Sequence, residues 1–143
     1  MNASCHITKV LGQFFAMLAL AAMFSHEVQA ATVSTINMSA RLTGGANVGS
    51  YVTLACTAGK SGMTGGGALL GNNSQTKNSY SYPFTITNVS TTTGAVVFTG
   101  RFASGGQAVS ITANPATGAI TFSYKLSNGT VVNSTGQGVL TTK

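Results

Sequence analysis

Apolar and polar residues alternate with a period of two along most of the chain from residue 36 to residue 142. No other feature restricts the fold as strongly, because successive side chains of a strand point to opposite faces. Ile36, Met38, Ala40 and Leu42 alternate with Asn37, Ser39 and Arg41. Val52, Leu54 and Cys56 alternate with Thr53 and Ala55, and Tyr82, Phe84 and Ile86 with Pro83, Thr85 and Thr87. Val96, Phe98 and Phe102 share a face, as do Val109, Ile111 and Ala113. Ile120, Phe122, Tyr124 and Leu126 form the clearest run, and a weaker one covers residues 138–142. Gly, Asn and Pro punctuate the intervals. About seven short strands with such punctuation indicate an all-β fold, a small antiparallel β-sandwich or barrel.

An internal repeat supports this reading. Residues 93–102 (TGAVVFTGRF) match residues 117–126 (TGAITFSYKL), and the match continues through Ser104-Gly105 against Asn128-Gly129. Each unit reads as strand, tight turn, strand, so the two copies predict a C-terminal β-meander. Asn128-Gly129 predicts a type I′ hairpin turn, with positive φ at both residues. Pro83 lacks the N–H that a ladder needs, so its strand is expected at an edge or broken there. Residues 57–78 (TAGKSGMTGGGALLGNNSQTKN) are rich in Gly and poor in residues that pack. They predict one long loop.

Residues 1–30 read as a secretory signal peptide. Lys9 precedes an apolar run at residues 10–24, and a polar segment follows that ends Val28-Gln29-Ala30. The apolar run is shorter than the ~20 residues of a bilayer span, and its flank suits cleavage after Ala30. The expected product is a single all-β domain of residues 31–143 with no integral membrane span. Its expected location is secreted, periplasmic or at the cell surface.

Charge then excludes most chemistry. The whole chain has 7 Lys and Arg, 1 Asp or Glu and 2 His, with a formal net charge of +6. Glu27, His6 and His26 all belong to the signal segment, so residues 31–143 contain no carboxylate side chain, no His and no Trp. Zinc and calcium sites lack their usual ligands, and acid–base catalysis has only Lys and Tyr to draw on. No cofactor is expected, and no enzymatic activity. Ser74-Gln75-Thr76-Lys77 fits the S-x-x-K pattern of penicillin-binding enzymes, but it lacks a helical setting and the K-T-G partner. Gly59-Lys60-Ser61 resembles the end of a P-loop, yet Leu54 stands where the earlier Gly is required. Cys56 is the lone cysteine after cleavage. It shares the Val52 and Leu54 face, which predicts a buried apolar role without a base to activate it.

Two functional readings remain. Low charge with abundant Gly, Ala, Ser, Thr and Asn matches the composition of extracellular fibre or surface-coat subunits. On that reading the chain self-assembles by strand addition, and Ile36, Met38, Ala40 and Leu42 form the assembly strand. The alternative is a monomeric cationic module that binds anionic envelope polymers such as lipopolysaccharide, polysaccharide or extracellular DNA. Arg101 and Lys125 hold equivalent repeat positions, opposite the apolar face. With Arg41 they make the candidate anion-binding set, Arg101 and Lys125 ~10 Å apart across one intervening strand. Aromatic residues are too sparse to indicate a specific nucleic-acid partner.

Overall fold

The computed structural model describes residues 34–59, 62–72, 76 and 78–143. The signal-peptide reading of residues 1–30 falls outside them, as do Lys60, Ser61, Ser74 and Lys77. The chain runs up and down through eight strands: β1 (Ser34–Gly45), β2 (Tyr51–Gly59), β3 (Gly62–Asn72), β4 (Ser79–Thr92), β5 (Ala95–Phe102), β6 (Ala108–Ala113), β7 (Ala119–Lys125) and β8 (Val131–Thr142). Each strand pairs antiparallel with the next, and β8 pairs back onto β1 to close a barrel. Between sandwich and barrel, the structure is a barrel. Closure leaves no unpaired strand edge.

The strands are steeply staggered, as closure requires. One lateral row of paired residues starts low on β1 at Ile36 and passes through Cys56, Gly65, Ile86, Gly100, Val109 and Tyr124 to Val132. Gly45, the last paired residue of β1, faces Ser134, so Val132 lies above the top of β1. Two bulges help the turn. Thr43 is the extra residue where β1 meets β8, and Thr87 where β4 meets β5. Such bulges bend and twist a strand locally. The Thr87 bulge also explains a break in the alternation: Phe84 and Ile86 face inward, and then Val89 rather than Asn88.

The inward positions form one core, which includes Phe98, Phe122, Ile36, Leu42, Leu69 and Ile111, each at most 2% exposed. Outward positions are largely Thr, Ser and Asn, as in Thr112, Thr121 and Thr135, which neighbour one another across β6, β7 and β8. The repeat is real in backbone terms. Gly94 and Gly118 have φ of 82° and 73°, Gly105 and Gly129 have φ of 80° and 88°, and Phe98 and Phe122 both stand at 0% exposure.

Three expectations need correction. The predicted loop at residues 57–78 is mostly strand, since β2 continues to Gly59 and β3 occupies Gly62–Asn72. This is the strand that an alternation count misses. Its inward positions include Gly65, Gly67 and Gly71, so they show no apolar side chain. Neighbours fill the space instead. A Cβ at Gly65 would meet the backbone and thiol of Cys56, at Gly67 the Thr53 carbonyl and the Phe84 ring, and at Gly71 the Tyr80 ring. The second correction concerns the last hairpin. The Gly129 N–H donates to the Leu126 carbonyl at 2.9 Å, and the Leu126 N–H to the Thr130 carbonyl at 2.8 Å. The loop is therefore three residues long, a four-residue turn from Leu126 that ends on Gly129 in the left-handed region. Asn128 serves it through its side chain, accepting the Thr130 N–H at Oδ1 at 2.9 Å. Third, Pro83 lies on no edge strand. It sits where β4 outgrows β5, one residue above the Phe84–Phe102 pair, and its carbonyl accepts the Ala103 N–H.

Candidate functional site

The two ends of the barrel are closed differently. At the lower end, residues 93–94 link β4 to β5, and Thr35 and Lys143 exchange two backbone hydrogen bonds. At the upper end the strands give way to residues 46–50, 103–107 and 126–130. A cavity of about 330 Å³ opens there, with walls of Leu69, Tyr82, Pro83, Phe102, Tyr124 and Leu126. Asn47, Ser104 and Gln107 add polar groups to it. Barrel mouths are a preferred place for small-molecule sites, and this volume falls at the lower end of their ~300–1,000 Å³ range.

Pairing brings these side chains together. The row Ala40, Val52, Leu69 continues to Tyr82, and the row Met38, Leu54, Gly67 continues through Phe84 to Phe102. Rings then form a connected network from floor to lip. Phe84 and Phe122 are buried at the base, 6.3 Å between centroids. Phe102 meets Phe84 edge-on at 6.1 Å and Tyr124 edge-on at 5.4 Å. Tyr82 stands at the lip, 52% exposed, 6.4 Å from Phe102 and 5.2 Å from Tyr80. Edge-to-face and tilted contacts at these spacings are favourable and hold each ring in place.

Two polar contacts brace the mouth. The Tyr80 hydroxyl and Ser50 Oγ lie 2.7 Å apart, and the ring of Tyr80 occupies the room left by Gly71. Ser134 is 1% exposed, and its Oγ accepts hydrogen bonds from both the backbone N–H and the Nδ2 of Asn47, at 3.1 and 3.0 Å. That satisfies the buried Ser134 hydroxyl and pins the loop to β8.

The predicted cations divide. Arg101 pairs with Ala108 on β6, and the next β6 residue, Val109, pairs with Tyr124, which adjoins Lys125. The two cations therefore flank β6 near the upper rim, both exposed. Arg41 faces Gln137 on β8, whereas Lys125 faces Val131 on the same strand. Those β8 residues are far apart, so Arg41 stands well down the wall, apart from the other two. Ile36, Met38, Ala40 and Leu42 all face the barrel interior and are at most 3% exposed. Their strand is bonded to β2 on one side and β8 on the other. Cys56 is 1% exposed, and burial pushes its thiol up to about 11.

Sequence reasoning did not single out the aromatic mouth. Its signal is a placement: Tyr80, Tyr82, Phe102 and Tyr124 carry inward parity at the upper strand ends, where no facing strand covers them. Compared with known proteins, the chain matches no family model, no curated protein and no solved structure.

Proposed function

We propose that residues 31–143 act as an exported, non-enzymatic binding barrel whose upper mouth takes a small ligand with an apolar, ring-bearing body. One observation carries this reading: a 330 Å³ cavity in the end of a closed barrel, walled by Tyr82, Phe102 and Tyr124. Rings already locked by their neighbours lose little freedom when a ligand arrives. The Thr- and Ser-rich outer wall supports a barrel that faces water, the reverse of the outward apolar band of a membrane-spanning barrel. Absence of Asp, Glu and His from residues 31–143 supports binding over catalysis.

The fibre-subunit reading is weaker on this geometry. Strand addition needs an open edge or a released strand. Here the candidate assembly strand would have to leave both β2 and β8, taking Ile36, Met38 and Leu42 out of the core. The decisive measurement is an amide chemical-shift titration with uncharged phenylnaphthylamine. Shifts should concentrate on Leu69, Tyr82, Phe102 and Tyr124. Shifts confined to the lower end, or none at the probe's solubility limit, would remove the proposal.

A further inference from the structure

We infer that the ligand of the mouth is an anionic amphiphile, with its apolar body between Tyr82, Phe102 and Tyr124 and its negatively charged head at the rim between Arg101 and Lys125. The inference rests on the binding-barrel reading and adds the chemistry of the head group. Its support is separate from the cavity itself, and lies in where the two cations point.

Arg101 and Lys125 sit on the outer wall, but neither side chain runs down it. Arg101 Nη1 donates to the Gly106 carbonyl at 3.0 Å. The guanidinium is thus turned up against the β5–β6 loop, whose Ser104 and Gln107 line the cavity. One bond uses one of five N–H donors. Lys125 runs upward as well: its Cε lies 3.9 Å from the place of a Cβ on Gly129, in the β7–β8 loop. Each cation also adjoins cavity-lining residues in sequence, Arg101 beside Phe102 and Lys125 between Tyr124 and Leu126. The strands that carry them are one strand apart, ~10 Å at sheet spacing. A carboxylate, sulfate or phosphate head could engage either cation or bridge them.

Among the described residues no carboxylate side chain faces these charges. The chain's one acidic side chain, Glu27, lies outside the described residues, and the C-terminal residue, Lys143, is bonded to Thr35 at the lower end. Among the described residues the mouth therefore combines apolar walls, neutral amide and hydroxyl groups and two positive charges without a carboxylate partner. A neutral ligand would leave the charges unused. A hydrophilic polyanion would leave the rings unused.

The test compares two probes that share one ring system. Anilinonaphthalene sulfonate carries an anionic head, and phenylnaphthylamine carries none. Each is titrated into the full chain, into Arg101→Gln/Lys125→Gln and into Tyr82→Ala, with thermal melts to verify folding. Both sites are exposed, so the variants should fold. The sulfonate should bind the parent chain about tenfold more tightly than the neutral probe, as expected for charge-assisted contacts. That advantage should shrink as salt rises. The double variant should lose the advantage while keeping the neutral probe's affinity, and Tyr82→Ala should weaken both probes. Equal affinity of the two probes, with both lost in Tyr82→Ala, would overturn the anionic inference and leave the binding mouth standing. Sulfonate binding that depends on the cations but ignores Tyr82→Ala would overturn it in favour of a charged surface for polymers. Binding of neither probe would overturn both.

Discussion

β3 and β7 stand on opposite sides of one barrel and solve the same problem in opposite ways. β7 places Ile120, Phe122 and Tyr124 on its inner face, so its own side chains fill the lumen. β3 puts Gly65, Gly67 and Gly71 there, with Leu69 as its one deeply buried apolar side chain. Its share of the core comes from β2 and β4, whose Cys56, Phe84 and Tyr80 lie over the glycines. A barrel this narrow cannot admit large residues from every strand at one level, so some must be small. What differs is the kind of constraint. β7 is held by what its side chains touch, and β3 by what it leaves out.

A side chain on the inner face of β3 should have the largest effect. A Cβ at Gly67 would collide with both the Thr53 carbonyl and the Phe84 ring. Gly67→Val should therefore cost about 3 kcal/mol or more, at or beyond the upper end of overpacking penalties. Adding Phe84→Leu should not restore stability, because the Thr53 carbonyl remains. Thr121→Val, an exposed position on β7, should change stability by less than about 0.5 kcal/mol. Urea unfolding of the variants measures all of these. A well-folded Gly67→Val would show that β3 does not approach β2 as closely as the register requires.

A smaller effect comes from the thiol packed on Gly65. Burial raises the Cys56 pKa from 9.0 to about 11. A thiol harder to ionise when folded stabilises the fold fully at pH values below its unfolded pKa, and the stabilisation is lost as pH rises through the folded value. Parent chain and Cys56→Ala should therefore keep a constant stability difference up to about pH 8. Between pH 9 and pH 11 the parent should lose about 2–3 kcal/mol relative to the variant, from a shift of this size. Urea unfolding across that range tests it. Parallel curves throughout would mean that the thiol reaches water.

At the top of β3 the same logic reaches the mouth. Gly71 makes room for the Tyr80 ring, whose hydroxyl meets Ser50. Gly71→Ala should displace that ring and so act as Tyr80→Phe does, each removing the hydrogen bond at a cost of about 1 kcal/mol. Because both act on one contact, the double variant should cost less than the sum. Full additivity in thermal or urea melts would separate the glycine from the tyrosine.

The same contrast explains how much of the fold is legible in the sequence. β1, β2, β5 and β7 are legible because their apolar stripes are their own. The all-β class, the meander and the burial of Cys56 follow from those stripes. β3 was not legible, since glycine carries no period-two signal and its packing belongs to residues on other strands. Closure was hidden for a related reason: it depends on a pairing between the first and last strands, which no local pattern records. Asn128-Gly129 marks the place of the last turn but not its length, because a Gly in the left-handed region suits both two- and three-residue loops. For the site, Arg101 and Lys125 were placed through the repeat, whereas the mouth needed the stagger that lifts Tyr82 and Tyr124 to one rim.

The smallest expected effect is an absence of effect, and it applies to both walls alike. Acid unfolding arises mainly from carboxylates whose pKa is lower folded than unfolded, and from buried neutral histidines. Residues 31–143 hold neither kind of side chain. Between pH 7 and pH 2 only the chain ends can change charge, so folded and unfolded states bind nearly the same number of protons. The melting temperature of residues 31–143 should therefore stay nearly level over that range at fixed ionic strength, while the alkaline limb falls through Cys56. β3 and β7 should then melt together at every acidic pH, which amide exchange can follow strand by strand. An acid transition near pH 4 in this segment would require a carboxylate from outside it, such as a co-purifying anionic ligand whose head protonates there. That ligand would be lost from the mouth as its charge is neutralised. An acid transition abolished by delipidation, or by Arg101→Gln/Lys125→Gln, would tie it to the rim cations, and one that survives both would locate the missing proton elsewhere.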